Sequence, residues 1–254
     1  RCHFYCRFCF RAGSHPEPRW ADLDGAVRAL EGDAALEEVI LSGGDPLTLP
    51  DARLGALLAR LAELKGLRSV RIHTRAPVHA PERITDELAG VLSSSSRLPV
   101  WVVIHATHPR ELRPEFDAAV ARVVDVGIPV LNQTVLLAGV NEDPETLRAL
   151  MTGLAARRVK PYYLHHPDRI SGIGRFRITL DRGREIYRAL RTRVSGPALP
   201  QYVLDLPDGR GKVPVLEMER VGGCLWRYEH PDGSVSRYED VREPQPAAQG
   251  AGRS

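Results

Sequence analysis

Short apolar runs alternate along the chain with stretches in which apolar residues recur every third or fourth position. The runs are Glu37–Leu41 (EEVIL), Arg68–His73, Pro99–His105 (PVWVVIH), Pro129–Leu137, Val159–His165 and Gln201–Asp205, and each reads as a strand. Between them Trp20–Glu31, Pro50–Lys65, Pro81–Leu92, Arg113–Val126, Asp143–Arg157 and Leu180–Val194 read as helices; the second carries Leu54, Leu57, Leu58, Leu61 and Leu64 at helical spacing. Asn141 or Asp143 is placed to cap the fifth. Strands alternating with helices are the pattern of βαβ units and a parallel sheet. Six such units predict an α/β fold, an open, partial (β/α)6 barrel rather than a doubly wound sheet.

From about Pro214 the pattern changes to short strands punctuated by turns (CLWRYEHPDGSVSRYED), with His230-Pro231-Asp232-Gly233 as a hairpin turn. This divides the chain into a main unit at 1–213, a small C-terminal β appendage at 214–241, and a tail at 242–254 rich in Pro, Ala and Gly that is expected to be disordered. The chain opens on Arg1 with the first motif already at residue 2, so an N-terminal segment is expected to be missing.

The 254 residues fit one large domain, and a hydrophobic content of 43% supplies a sizeable core. Net charge is +3, from 35 Lys and Arg against 32 Asp and Glu, which gives no reason to expect nucleic acid or a membrane as partner. No apolar run approaches the ~18 residues of a membrane span, and no signal peptide stands at the start.

The chemistry begins in RCHFYCRFCF. Cys2, Cys6 and Cys9, three of the chain's 4 cysteines, are spaced C-x3-C-x2-C. Thiolates suit iron–sulfur clusters and zinc. A four-iron cluster takes one cysteine per iron, so three leave one iron open for reaction. Zinc would want a fourth ligand, and His3 beside Cys2 is awkwardly placed for it; disulfides would leave one thiol unpaired. A cluster and so few cysteines point to a reducing cytoplasm. Cys224 stands apart and reads as a structural thiol.

Ser42-Gly43-Gly44-Asp45 follows a strand directly, and its glycines let backbone approach a ligand; an ordinary βα turn would also use them. His105 ends the third strand and Gln133 lies on the fourth, each readable as a satisfied polar residue at a strand end. Asp205 ends the sixth strand, and a Gly-rich turn then presents Lys212 (DLPDGRGK). A lysine near an apolar strand can form a Schiff base, for which pyridoxal phosphate (PLP) is the fitting cofactor, or can be a plain surface residue. Asp168 could bind a cationic substrate end, or be a solvated carboxylate or a partner of Arg169 or Arg175. His165 and His166 are adjacent in extended chain and point to opposite faces, so no metal site is assigned to them.

C-x3-C-x2-C followed by an aromatic residue resembles the signature of the radical S-adenosylmethionine (SAM) superfamily. In order, RCHFYCRFCFR, ILSGGDPL, RIHTRAPV, IHATHP, LNQTVLLAGVN, VKPYYLHHPD and YVLDLPDGRGKVPV resemble the lysine 2,3-aminomutase family from Arg1 to about Val215. The resemblance implies that Cys2, Cys6 and Cys9 hold a [4Fe–4S] cluster. Ser42, Gly43, Gly44 and Asp45, with His105 and Gln133, contact SAM, and Lys212 carries PLP as a Schiff base. It further implies that Arg11 pairs with the carboxylate of L-lysine, that Asp168 and Asp205 bind its ε-ammonium, and that a deoxyadenosyl radical drives the nitrogen from C2 to C3. A reductant such as flavodoxin or ferredoxin and a homo-oligomer are expected with it. The family's structural-zinc cysteines are absent, so zinc is not expected. Rival readings are the related enzyme that makes β-lysine for elongation factor P, whose pattern lacks an aspartate at the position of Asp205, aminomutases of other amino acids, and a non-catalytic iron–sulfur protein.

Overall fold

Burial along the second strand sets the geometry of the whole sheet. Val70, Ile72 and Thr74 are buried, while Ser69, Arg71 and His73 between them are partly open, so one face is apolar and the other polar. The computed structural model describes residues 2–9, 23–33, 35–94, 97–170 and 172–241. Six parallel strands stand side by side in chain order: β1 (Glu38–Leu41), β2 (Ser69–Thr74), β3 (Val100–Ile104), β4 (Val130–Val135), β5 (Val159–His165) and β6 (Gln201–Asp205). A short β7 (Lys212–Pro214) returns antiparallel against β6. Sequential strand order means that every crossover advances the same way. Right-handed crossovers then place all connecting helices on one face, so the sheet curls as a half barrel with its polar face inward. A doubly wound sheet would need the order to reverse.

The helices are α1 (Leu23–Leu30), α2 (Asp51–Leu61), α3 (Ala76–His79), α4 (Asp86–Ser93), α5 (Pro114–Asp125), α6 (Pro144–Ala156) and α7 (Leu180–Arg191). Leu54, Leu57, Leu58 and Leu61 form the buried stripe of α2, and Leu147, Leu150, Met151 and Leu154 that of α6. These stripes pack on the apolar strand face in one continuous core. Truncating a leucine buried like Leu58 to alanine costs about 2–5 kcal/mol.

The expected strands and helices appear within a few residues, with instructive departures. The start of the first helix, at 20–22, lies outside the described residues, as does the tail at 242–254. The helix expected over 81–92 divides into a 3-10 turn, Pro81–Arg83, and α4, because Thr85 turns extended and its side chain accepts the Leu88 N–H. Asp143 caps α6 by accepting the Thr146 N–H at 2.9 Å, whereas the buried Asn141 ties two loops together, donating to the Thr107 and Val135 carbonyls. Lys212 is not carried on a turn: it opens β7, which also runs across the boundary expected at 213/214. The appendage is a three-stranded antiparallel sheet of β8 (Glu219–Gly222), β9 (Leu225–Glu229) and β10 (Val235–Glu239). Its hairpin turn has Gly233 at φ 80° with the His230 N–H donating to Ser234 O, and its Trp226 and Tyr238 are buried in the common core.

Candidate active site

Polar residues that ended the apolar runs now share the inward face and mouth of the half barrel. Arg71 and His73 come from β2, His105 follows β3, Gln133 lies on β4, His165 ends β5 and Asp205 ends β6. A register shift between Asn132 and Gln133 and the alternating burial of β4 turn these two apart. Fully buried Asn132 accepts the Ala106 N–H at 2.8 Å and so fixes the loop that begins at His105, leaving Gln133 on the inner face. In parallel α/β folds the carboxyl ends of the strands carry the site.

Over the ends of β1 to β3 lies the cysteine loop. Cys2 is exposed, Cys6 and Cys9 are half-buried, and the Cys9 N–H donates to Cys6 O at 3.2 Å. Phe4 stacks on His79 with centroids 4.1 Å apart, and Phe8 meets His105 edge-on at 5.6 Å. Partial desolvation, then the charges of Asp45, Cys9 and Cys6, push the Cys2 thiol up and disfavour its free thiolate; a bound cation would act in the opposite direction. Among the described residues no three His, Cys, Asp or Glu converge as ligands of one ion. A cluster makes a different demand, since each thiolate binds its own iron.

Gly43 has φ 132°, a backbone that a side chain would strain. The buried Asp45 is spent inside the protein. Its Oδ1 accepts from the Leu47 N–H (3.0 Å), its Oδ2 from the Arg75 N–H (2.8 Å), and Thr74 Oγ1 lies within 2.9 Å of both oxygens. With Asp45 committed, the turn's two glycines are where a ligand could approach the backbone closely.

Over the ends of β5 to β7 a second group assembles. Lys212 Nζ donates to Asp205 Oδ1 at 2.8 Å, and His165 Nδ1 lies 3.3 Å from Asp205 Oδ2. Burial works against the Asp205 carboxylate, but hydrogen bonds from His165 and Lys212 outweigh it and hold it below the usual range. Burial, then the charge of Asp205, pushes Asp168 the other way. Neither expected partner serves Asp168: Arg169 reaches Glu239 at 4.0 Å and Arg175 lies over the Phe176 ring. Among the described residues Asp168 has no ion-pair partner, which leaves it an acid able to meet a cationic group. Arg11 lies outside the described residues.

Between the two groups, the Nε2 atoms of His73, His105 and His165 are buried without a hydrogen-bond partner. Burial first, then Arg71, brings His73 down to about 4, and burial first, then Arg75, holds His105 well below its usual range. Both are neutral at pH 7, so they offer unmet polar atoms without repelling a cationic ligand. Sequence reasoning assigned no role to His73, His165 or Arg75. The signal for His73 was the alternation of RIHT, which sets it on the polar face; that for Arg75 was its place in the polar run His73–Arg75 just after a strand.

The Radical SAM superfamily profile matches residues 1–151. The putative L-lysine 2,3-aminomutase of Aquifex aeolicus is 42% identical over 253 residues, 96% of this chain and 68% of that protein. The chain belongs to the lysine 2,3-aminomutase family of radical SAM proteins. The L-lysine 2,3-aminomutase of Methanococcus maripaludis is 40% identical over 85% of this chain, and the glutamate 2,3-aminomutase of Clostridioides difficile is 36% identical over 85%. The chain spans about half the length of these two relatives (50% and 51%). The fold is shared with Streptococcus suis SuiB bound to S-adenosylmethionine, at TM-score 0.58 and 16% identity, over 80% of this chain and 48% of that one. Radical SAM proteins use a [4Fe–4S] cluster and SAM, and lysine 2,3-aminomutases add PLP. The residues present fit these groups: three thiols on one loop, unmet imidazole nitrogens facing the barrel interior, and a lysine at its mouth.

Proposed function

We propose that this member of the family is an L-lysine 2,3-aminomutase, moving the amino group of L-lysine from C2 to C3 to give β-lysine. The observation that carries the reading is Lys212 paired with Asp205 at one lip of a half barrel whose other lip holds the three-cysteine loop.

In this reading Cys2, Cys6 and Cys9 hold the cluster. The Ser42–Gly44 stretch, His105 and Gln133 hold SAM, with Asp45 fixing the turn. Lys212 holds PLP through Nζ. When bound, the cluster and SAM supply a hydrogen-abstracting radical, and PLP supplies a conjugated system that lets the nitrogen shift between neighbouring carbons. The chain's own residues choose and orient the substrate. Taking an ammonium out of water is costly unless it is paired. Asp205, held ionised by its hydrogen bonds, and Asp168, half-buried and without an ion-pair partner among the described residues, give such a group two acids to meet. Arg11, which lies outside the described residues, is the candidate to take the carboxylate. A substrate side chain ending in carboxylate would meet like charge, which disfavours the glutamate reaction. A small one-electron carrier such as flavodoxin or ferredoxin is the fitting reductant, the reducing cytoplasm the fitting compartment, and a homo-oligomer the fitting assembly.

The test is to supply the complete protein with PLP, reduce with borohydride and map the modified peptide. Label on Lys212, lost in Lys212→Ala, supports the reading; PLP fixed elsewhere or not at all rejects it.

A further inference from the structure

Arg75, just beyond β2, joins several parts of the cysteine lip. Its backbone N–H donates to Asp45 Oδ2 (2.8 Å), its Nε donates to the His105 carbonyl (3.0 Å) and its Nη2 pairs with Glu111 Oε1 (3.1 Å). Its Nη1 lies 2.7 Å from Cys6 Sγ. The guanidinium carbon stands 5.4 Å from the Phe8 ring centroid, and the side chain is only 14% exposed. Glu111 is fixed in its turn, since its Oε2 accepts from the backbone N–H groups of Thr107 (2.5 Å) and His108 (3.2 Å). A planar, permanently charged fork anchored at Nε and Nη2 has little freedom in where it aims Nη1. It aims at a cysteine sulfur.

We propose that Arg75 is a positioning residue that sets a fixed positive charge against the Cys6 sulfur and so raises the reduction potential of the cluster. The inference rests on reading Cys6 as a cluster ligand. One electron entering from an external one-electron reductant makes no bond and breaks none; it adds one negative charge, part of which falls on the thiolates. A cationic N–H on one thiolate stabilises the reduced state more than the oxidised one, and hydrogen bonds to cluster sulfurs are among the determinants of potential. Glu111 acts as the counterweight, because its carboxylate offsets part of the guanidinium charge. Arg75 also clasps Asp45 through its backbone N–H, so the cysteine loop and the Ser42–Asp45 turn share one anchor.

The experiment is an anaerobic titration of the cluster potential in the full chain reconstituted with iron and sulfide, without SAM, lysine or PLP, with dithionite as reductant and iron content measured for each variant. Arg75→Met is expected to shift the potential to more negative values, and Arg75→Lys, which keeps the charge but loses the fork, by less. Glu111→Gln is expected to shift it the opposite way. That variant carries the test if Arg75→Met assembles no cluster. A fully loaded Arg75→Met at the wild-type potential, or a Glu111→Gln that is unchanged or more negative, overturns the proposal. Wild-type chain that assembles no cluster rejects the ligand reading of Cys6 and this inference with it; a wild-type cluster insensitive to both residues rejects the inference alone.

Discussion

Lys212 Nζ lies 2.8 Å from Asp205 Oδ1, across an antiparallel register that sets the two residues directly opposite each other on β7 and β6. An acid suited to a substrate ammonium already holds an ammonium of the chain itself. In the proposed reading, a Lys212 Nζ that held PLP would no longer set an ammonium on Asp205 Oδ1, and that oxygen could meet a second cation. His165 Nδ1 lies on the other oxygen, 3.3 Å from Oδ2. On the proposed reading, the pair marks where a cationic substrate end would be held.

Asp205→Asn tests that preference. A hydrogen bond to a charged group contributes about 1.5–3 kcal/mol, so kcat/KM for L-lysine is expected to fall about ten- to a hundredfold. The loss should appear mainly in KM, because the terminal ammonium is bound alike before and during the reaction. The PLP absorbance should persist, which separates this variant from Lys212→Ala. Steady-state kinetics with an unchanged KM would place the ammonium elsewhere.

On the proposed reading the cysteines divide by role. Cys2→Ser, Cys6→Ser and Cys9→Ser should each lose the iron and the cluster absorbance after reconstitution, while Cys224→Ser, on the turn between β8 and β9, should keep both. Iron analysis and visible absorbance decide; a cluster lost with Cys224 would move the ligand set.

His73 gives stability a pH slope of known sign. Its folded value is about 4, against about 6.5 for the unfolded chain. Between those values the unfolded state binds more protons, so stability falls as pH falls; above about 6.5 the contribution is complete. His73→Gln should therefore gain on the wild type as pH drops from 7 to 4. Urea midpoints measured across that range check it, and curves that stay parallel contradict it.

Two glycines predict opposite outcomes for one substitution. A Cβ at Gly183 on α7 would collide with the Tyr202 hydroxyl, which is 2.8 Å from His166 Nδ1. Gly183→Ala should destabilise the chain by about 1–3 kcal/mol. Nothing lies within 4 Å of a Cβ at Gly90 on α4, where alanine should stabilise by about 0.5–1 kcal/mol. Chemical unfolding of both variants provides the comparison.

The half barrel was legible because each strand had to be apolar on one side to hold its helix. The alternation in RIHT and LNQT also reported that the other side faces something polar. The cysteine motif and the order of the later motifs were local signals as well. What stayed hidden depends on partners distant in the chain. Nothing near Asp45 reveals that Thr74 and Arg75 spend its carboxylate, and nothing near Arg75 reveals Cys6, 69 positions away. Lys212 read as a turn residue because its strand is three residues long and exists only by pairing with β6.

The most direct measurement uses the complete protein, loaded anaerobically with iron, sulfide and PLP, then given SAM, dithionite and L-lysine labelled with 15N at C2. Mass spectrometry and NMR should find β-lysine with the label at C3 and no matching net loss of SAM. Cluster-loaded protein that cleaves SAM yet leaves the lysine nitrogen at C2, or that moves the nitrogen of glutamate in preference, would contradict the account.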